Sequence, residues 1–315
     1  MHAPQPLVLV RDLSKSHGQT RALRGVNLDI PEGCIFGLLG PNGSGKTTTL
    51  ECLLGLRRPD TGSVRIGGID ALRQPAAARH LVGALVQASG LQPDITPREA
   101  LRLFSSLHKV PCNTEVLLGR LRLTAKADAP FDTLSAGHKQ SLLLGLALCH
   151  LPRLLVLDEP FAGLDPAARG ELHATLRELR QTGGTLLLST HDLADAAELC
   201  DQIAILNEGV VVAAGAPTGL LSEHRIPHHV VLTTASPVTA GLFRGLAEVG
   251  AARGQGEGWS LSTHAPQACI QSVVTTLAAA GNGLVELRVE PPSLAELYHR
   301  LTGRNWVREA GEDAP

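Results

Sequence analysis

The chain has 315 residues, with 28 Lys and Arg against 30 Asp and Glu, which gives a formal net charge of −2. This balance and the few aromatic residues (five Phe, two Trp and one Tyr) exclude a general nucleic-acid binder, which needs a basic surface or a base-stacking platform. The 43% hydrophobic content excludes global disorder, and the length is typical of about two domains.

No stretch has the roughly 20 apolar residues of a membrane-spanning helix. The most apolar run, Leu142–Leu157, is interrupted by His150, Pro152 and Arg153. The N-terminus lacks the charged start and apolar run of a signal peptide. We therefore expect a chain that stays in the cytosol, with its six widely spaced cysteines as free thiols.

Apolar runs predict five strands in the first part of the chain, the first of them at a sheet edge: Leu7–Val10, Ala22–Ile30, Cys34–Leu39, Val64–Ile66 and Leu81–Val86. A helix is predicted from about Lys46 to Leu56. Residues 93–133 are predicted to be mostly helical, with breaks at their prolines: Pro97, Pro111 and Pro130.

The middle of the chain alternates helices and buried strands. The predicted elements are a helix at Ala136–Cys149, a strand at Leu154–Leu157, a helix at Pro166–Gln181, a strand at Thr185–Ser189, a helix that Asp192 caps, and a hairpin of Ile203–Leu206 with Val210–Ala213. This alternation is typical of an α/β layer around a parallel sheet.

The composition shifts after Gly215, Ala216 and Pro217. The following residues predict a small α+β domain with six elements: strand Val230–Thr234, helix Pro237–Val249, strand Trp259–Thr263, helix Pro266–Ala280, strand Leu284–Glu290 and helix Ser293–Leu301. We therefore predict one domain over residues 1–221, a second over 222–304, and an acidic tail over 305–315.

A phosphate-binding loop is the strongest motif. Residues Gly40–Thr47 read GPNGSGKT and match G-x-x-x-x-G-K-[ST] between a predicted strand and a predicted helix. The glycines let backbone N–H groups surround phosphate oxygens, Lys46 would neutralise the β and γ phosphates, and the Thr47 hydroxyl would bind Mg²⁺. The predicted nucleotide-binding residues are Gly40, Pro41, Asn42, Gly43, Ser44, Gly45, Lys46, Thr47 and Thr48.

A second acidic site follows the apolar strand in LLVLDEP, Leu154–Pro160. Ligands of open α/β sheets bind at the carboxyl ends of strands, where Asp158 and Glu159 are expected. Asp158 would bind Mg²⁺, directly or through water, and Glu159 would polarise the attacking water. The alternative is a pair of solvated acids at a helix start.

The order of these motifs resembles the ATP-binding subunits of ABC transporters over about Leu7–Leu221. Besides the two sites, the resemblance depends on LSAGHKQ (Leu134–Gln140), Gly163-Leu164-Asp165-Pro166, Ser189-Thr190-His191 and Gln87 after a strand. It implies a P-loop ATPase domain with a RecA-like core and antiparallel β and helical subdomains, plus the small C-terminal domain. It also implies ATP and Mg²⁺ as ligands and ATP hydrolysis, with Lys46, Glu159 and His191 as catalytic residues.

In this family two such domains face head to tail around two ATP molecules. By resemblance, Ser135 and Gly137 would contact the γ-phosphate on the opposite subunit, and Asp165 would couple the two sites. Gln87 would touch Mg²⁺ or the lytic water, and His191 would help align Glu159. For Ser135 the alternative is a helix N-cap alone, and for His191 a plain histidine at a strand end.

The sequence departs from the family pattern in three places, one of which is Ser141, where an arginine is common. The signature usually reads LSGGQ, whereas here Ala136 replaces a glycine and His138 replaces the glutamine. The adenine-stacking aromatic is usually a tyrosine, whereas His17 stands in KSHG here. These changes keep a non-hydrolysing subunit open as an alternative, and His17 is otherwise an ordinary loop histidine.

The segment Leu287–Arg304, LRVEPPSLAELYHRLTGR, resembles the end of ATPase subunits that pair with ABC-2 type exporter permeases. This implies an exporter permease with several membrane spans as the partner, which would hold the chain at the cytoplasmic face of the cell membrane. The resemblance also implies a dimer, for which two identical chains are the expected composition. The C-terminal domain would regulate or help dimerise. Importer subunits and soluble ABC ATPases that act on ribosomes or DNA are the alternatives.

Two histidine groups suggest a further metal site, and the sequence disfavours both. His228 and His229 would point to opposite faces of a strand. His108 and Cys112 are spaced for one helix face, but Pro111 lies between them.

Overall fold

The computed structural model describes residues 6–86, 90–108, 112–255 and 258–306. The chain forms two compact units. The first comprises Met1–Pro217 with Trp306–Pro315, and the second comprises Thr218–Asn305. No helix within the described ranges has the length and apolar character needed to cross a bilayer.

The first unit contains most of the helices and strands. In chain order they are β1 (Val8–His17), β2 (Thr20–Ile30), β3 (Ile35–Leu39), α1 (Lys46–Leu53), β4 (Thr61–Ile66), β5 (Ile69–Asp70), α2 (Pro75–Arg79), β6 (Val82–Leu85), α3 (Pro97–Ser106), α4 (Thr114–Arg120), α5 (Ala136–Leu148), β7 (Leu154–Asp158), α6 (Pro166–Gln181), β8 (Thr185–Thr190), α7 (Leu193–Leu199), β9 (Gln202–Asn207) and β10 (Val210–Gly215). Helix α8 (Pro217–Glu223) follows at the boundary between the units.

A six-stranded sheet in the order β10-β9-β3-β8-β7-β6 forms the centre of the first unit. Strands β9, β3, β8, β7 and β6 are parallel, and β10 pairs antiparallel with β9. Every residue of β3, β7 and β8 is buried. These strands are nearly continuous apolar runs because both faces of the sheet are covered. The predicted α/β class with a parallel core is therefore confirmed.

A second sheet of the first unit is antiparallel, in the order β2-β1-β4-β5. The prediction of an edge strand at Leu7–Val10 is wrong, because β1 continues to His17 and lies between β2 and β4. Val8, Val10 and Leu13 are fully buried. Between Val10 and Leu13 the pairing register shifts, and this irregularity breaks the alternation of apolar and polar residues that the prediction used.

The second unit is a four-stranded antiparallel sheet with helices. Its strands β11 (His228–Thr234), β12 (Ala251–Gln255), β13 (Gly258–Thr263) and β14 (Leu284–Glu290) lie in the order β12-β13-β11-β14, with helices α9 (Pro266–Ala279) and α10 (Leu294–Thr302). Cys269, Val273 and Leu277 of α9 repeat every four residues and pack into its core with Phe243.

The prediction of a helix at Pro237–Val249 is wrong. The structure has a single 3₁₀ turn there, Ala240–Leu242. Gly245 has φ +107°, a conformation that ends any helix. The sequence also gave no sign of β12, whose AARGQ segment has weak strand propensity and pairs only with β13.

Close packing at β6 gives a stability prediction. A Cβ atom on Gly83 would lie 2.0 Å from the Ala147 carbonyl oxygen and 2.9 Å from Pro152 Cγ. Gly83→Ala should therefore lower the free energy of unfolding by about 1–3 kcal/mol, as overpacking does. Urea unfolding of the purified protein measures the change.

Gly170 is the matched control, because it is exposed in the interior of α6 and a Cβ there would meet nothing within 4 Å. Gly170→Ala should raise the free energy of unfolding by about 0.5–1 kcal/mol through helix propensity. Equal effects of the two substitutions would contradict the packing seen at β6.

Candidate active site

Three site segments converge because the strands before them are neighbours. Strands β3, β8 and β7 are adjacent and parallel in that order. Their carboxyl ends therefore lie at one edge of the sheet, where the glycine loop follows β3, Glu159 follows β7 and His191 follows β8. The sequence predicted that each segment follows a buried strand, but not that β8 lies between the other two.

The glycine loop leaves no room for side chains at two of its positions. A Cβ on Gly40 would lie 2.3 Å from Ser44 Oγ and 2.5 Å from the Leu206 carbonyl oxygen. Gly45 has φ +107° and begins α1 as its N-cap. The loop can therefore bring its backbone N–H groups and the N-terminus of α1 close to an anion.

Ser44 Oγ is buried and has no hydrogen-bond partner among the described residues. A buried hydroxyl without a partner is unusual in proteins and fits an oxygen-rich ligand such as a phosphate. The other loop positions differ in exposure. Asn42, Gly43 and Thr47 are exposed, and Pro41 and Thr48 are half-buried.

Lys46 is almost fully buried, with a side chain that is 5% exposed. Its Nζ donates a hydrogen bond to the Gly40 carbonyl oxygen at 2.8 Å and lies 3.3 Å from Glu159 Oε1. The two predicted catalytic residues therefore form an ion pair with each other. A phosphate that entered the loop would compete with Glu159 for the Lys46 ammonium group.

Ser189 links the two acidic residues at the end of β7. Its Oγ donates to Asp158 Oδ1 at 2.5 Å and accepts the Glu159 backbone N–H at 2.9 Å. Sequence analysis assigned no role to Ser189, although a buried serine at the end of an apolar strand was a usable signal. Thr47 Oγ1 lies 3.5 Å from Asp158 Oδ1. These oxygen donors suit a hard cation such as Mg²⁺.

Glu159 is held from both sides and through its backbone. Its Oε2 lies 3.0 Å from His191 Nδ1, while Oε1 faces Lys46. Its φ of +48° is left-handed, which costs a non-glycine residue on the order of 1–3 kcal/mol, and strained residues of this kind cluster at active sites. The structure thus places Lys46, Glu159 and His191 in one connected group.

The residues predicted to act across the dimer lie at the N-termini of α5 and α6. Ser135 is exposed and caps α5, with its Oγ accepting the His138 N–H and lying 2.8 Å from His138 Nδ1. Asp165 is also exposed and caps α6. A Cβ on Gly137 would lie 2.8 Å from the Ala168 side chain, so packing of α5 on α6 requires a glycine there.

Within the part of the chain that the structure describes, Ser135 and Asp165 form hydrogen bonds on their own helices, and none of these bonds reaches the Lys46–Glu159–His191 group. His17 is exposed at the end of β1, where it pairs with Thr20. Gln87 lies outside the described residues. The structure therefore brings Lys46, Glu159 and His191 together and leaves Ser135, Asp165 and His17 exposed.

Trp306 is a site contact that the sequence did not suggest. Its indole N–H donates to the His191 carbonyl oxygen at 3.0 Å, and both residues belong to the first unit. The predicted acidic tail, residues 305–315, thus contains one residue that is hydrogen-bonded to the loop that carries His191. The signal in the sequence was a lone tryptophan in a polar segment, and residues 307–315 lie outside the described ranges.

The cysteines do not contribute a reactive thiolate to this site. All six are free, as predicted. Burial raises the pKa of Cys34 and of Cys52 to about 11. Both thiols are therefore protonated at neutral pH, and they act as small core residues.

The chain is similar to ATP-binding proteins of membrane transport along nearly its whole length. Residues 23–162 match the family model described as ABC transporter. The Nod factor export ATP-binding protein I of Ralstonia nicotianae (strain ATCC BAA-1114 / GMI1000) is 36% identical, and the match covers 95% of this chain and 94% of that protein. The linearmycin resistance ATP-binding protein LnrL of Bacillus subtilis (strain 168) is 31% identical over 95% of this chain and 99% of that protein.

Solved structures of ABC transporter cassettes share the fold over part of this chain. An ATP-binding subunit of an ABC transporter has a TM-score of 0.63 at 31% identity, over 70% of this chain and 93% of that chain. A bacterial ABC transporter cassette solved as a dimer has a TM-score of 0.60 at 24% identity, over 66% of this chain and 98% of that one.

The Trp306 contact gives a prediction about rate. Trp306→Phe keeps an aromatic ring but removes the N–H donor that fixes the His191 loop. A neutral hydrogen bond contributes about 0.5–1.5 kcal/mol, so kcat for ATP hydrolysis should fall about 2- to 10-fold, with little change in KM. Steady-state phosphate release measures both constants.

Trp259→Phe is the control, because that tryptophan packs against Phe243 in the second unit. It also leaves Trp306 as the sole tryptophan, so its fluorescence should report nucleotide binding. An unchanged kcat in Trp306→Phe would show that the contact does not position His191.

Proposed function

Because the chain belongs to the ABC transporter family and is one of its ATPase subunits, we propose that it drives export through a separate permease of the ABC-2 type. The observation that carries the hydrolytic role is the group of Lys46, Glu159 and His191 at the carboxyl edge of the sheet. The export role is supported by two relatives, a Nod factor export protein and a linearmycin resistance protein, each of which matches 95% of this chain.

ATP would bind in the glycine loop. Backbone N–H groups there and the N-terminus of α1 would surround the phosphates, and Ser44 Oγ would gain the partner that it lacks among the described residues. Thr47 and Asp158 would hold Mg²⁺, which when bound neutralises phosphate charge. Their oxygens are ligands of the type that this ion prefers.

The Lys46–Glu159 ion pair would be exchanged when ATP binds. Lys46 would pair with phosphate oxygens, and the Glu159 carboxylate would be freed to accept a hydrogen bond from the attacking water. His191, 3.0 Å from Oε2, would keep that carboxylate in place. The intact pair of Glu159 and His191 argues against the non-hydrolysing alternative.

We also propose that a second copy of the chain completes each site. Ser135 and Asp165 are exposed helix caps, and Gly137 lets α5 pack closely on α6. The N-terminus of α5 would present its partial positive charge to the γ-phosphate bound by the partner. His17, exposed at the end of β1, would contact the base, and Gln87 would report occupancy to the permease.

The permease would place the chain at the cytoplasmic face of the membrane. The family supports an export ATPase subunit with a membrane partner. The ABC-2 type rests on the resemblance of Leu287–Arg304, which forms the end of β14 and α10. Residues 222–304 would then act as a regulatory or dimerisation domain.

Glu159→Gln tests the catalytic assignment. Loss of the base should lower ATP hydrolysis by at least about 100-fold. ATP binding should be retained and tightened, because a neutral side chain no longer competes with the phosphates for the Lys46 ammonium group. Phosphate release and equilibrium binding of ATP measure the two effects.

Glu178→Gln on the exposed face of α6 is the matched control and should change neither quantity. Unchanged turnover in Glu159→Gln would refute the assignment. Weaker ATP binding in that variant would show that the ion pair does not compete with the nucleotide.

Capture of the permease tests the export assignment. Tagged Glu159→Gln protein with ATP should co-purify, from detergent-solubilised membranes, with a polytopic protein that lacks an ATP-binding domain of its own. Lys46→Ala is the control, because it should not hold the ATP that closes the dimer. If only soluble proteins accompany the bait while ATP binding is intact, a soluble ABC ATPase becomes the better assignment.

A further inference from the structure

Three potential metal ligands meet away from the catalytic site. His108 follows α3, and Cys149 and His150 follow α5 before β7 begins. One ligand atom of each lies within 4.8 Å of the other two. The sequence disfavoured a site of His108 with Cys112, whereas the fold brings His108 together with Cys149 and His150 from the connection between α5 and β7.

His150 is oriented as metal-bound histidines are. Its Nε2 lies 3.1 Å from the Val82 carbonyl oxygen. Because a carbonyl can only accept, Nε2 carries the proton and Nδ1 presents a lone pair. Nδ1 is buried and has no hydrogen-bond partner among the described residues. An imidazole that donates one N–H to a backbone carbonyl and offers its other nitrogen is the usual outer-shell arrangement of a metal ligand.

The other two ligands are close but not yet in coordination geometry. The His108 ring stacks on His150 with centroids 4.4 Å apart and an interplanar angle of 14°. Cys149 is fully buried, and its Sγ lies 2.9 Å from the Leu146 carbonyl oxygen. Ligand atoms around a tetrahedral ion lie about 3.3–3.7 Å apart. A turn of the half-buried His108 ring and of the thiol would bring them to such distances.

We propose that His108, Cys149 and His150 bind one Zn²⁺ ion. One thiolate and two imidazoles form a donor set that zinc prefers over magnesium or calcium, and a water would complete the tetrahedron. The Cys149 thiol loses its proton to solvent when the Zn–S bond forms, and no electron is transferred. This site does not depend on the proposed transport function.

Zinc at this position would join two parts of the first unit. The ion would connect the end of α3 to the turn between α5 and β7. Helix α5 begins at the exposed cap Ser135, and β7 ends at Asp158. Bound zinc would therefore fix the connection between α5, which begins within the signature segment, and β7, which ends at Asp158.

Cobalt titration tests the proposal, with Co²⁺ as the spectroscopic substitute for Zn²⁺. The full chain, freed of metal by a chelator and without nucleotide, should bind one Co²⁺ with a thiolate charge-transfer band and the visible bands of tetrahedral cobalt. Zn²⁺ should remove both. Cobalt at Thr47 and Asp158 would show no thiolate band, so the two sites are distinguishable.

Cys149→Ser should lose the charge-transfer band, and His108→Ala should weaken binding at least about 10-fold. The controls are Cys34→Ser, another buried thiol, and His264→Ala, an exposed histidine, which should bind as the unaltered chain does. His108 is half-buried beyond the end of α3, so His108→Ala decides the question even if Cys149→Ser does not fold. Absence of the thiolate band, or its persistence unchanged in both ligand variants, would overturn the zinc site.

Discussion

The position of β8 between β3 and β7 is the constraint on which the site depends. The glycine loop, the acidic pair and His191 come from distant parts of the chain, and the adjacent parallel strands β3, β8 and β7 bring them close together at one edge. Ser189 shows how close the neighbouring strands are, because one hydroxyl contacts the Asp158 side chain and the Glu159 backbone together. The pairing of β3 with β8 and of β8 with β7 is parallel and in unbroken register along these strands.

The same arrangement gives Glu159 partners before any ligand is bound. A buried lysine without an anion is costly, and Glu159 Oε1 at 3.3 Å supplies that anion. The phosphates of ATP would offer Lys46 more negative charge than a carboxylate does, so the proposed exchange of partners would be favourable. The left-handed backbone at Glu159 persists because Ser189 and His191 hold the residue from two sides.

Local signals predicted local structure well. Helix α6 was predicted to the residue, because Asp165 caps it, Pro166 begins it and Gly183 with φ +92° follows its end. The motif positions were also predictable, since each follows an apolar strand. What the sequence could not give are the long-range neighbours: the Lys46–Glu159 pair, the Ser189 bridge, and the meeting of His108 with His150. The second unit was harder, because its glycines interrupt helical periodicity and β12 lacks strand formers.

The Trp306 hydrogen bond adds a fixed point to the loop that carries His191. Glu159 Oε2 lies 3.0 Å from His191 Nδ1, and the Trp306 indole N–H donates to the His191 carbonyl oxygen, so the side chain and the backbone of His191 are each held by a different residue. Trp306 belongs to the first unit although it follows the whole of the second unit in the sequence. It therefore contributes to the site without any sequence motif that marks it.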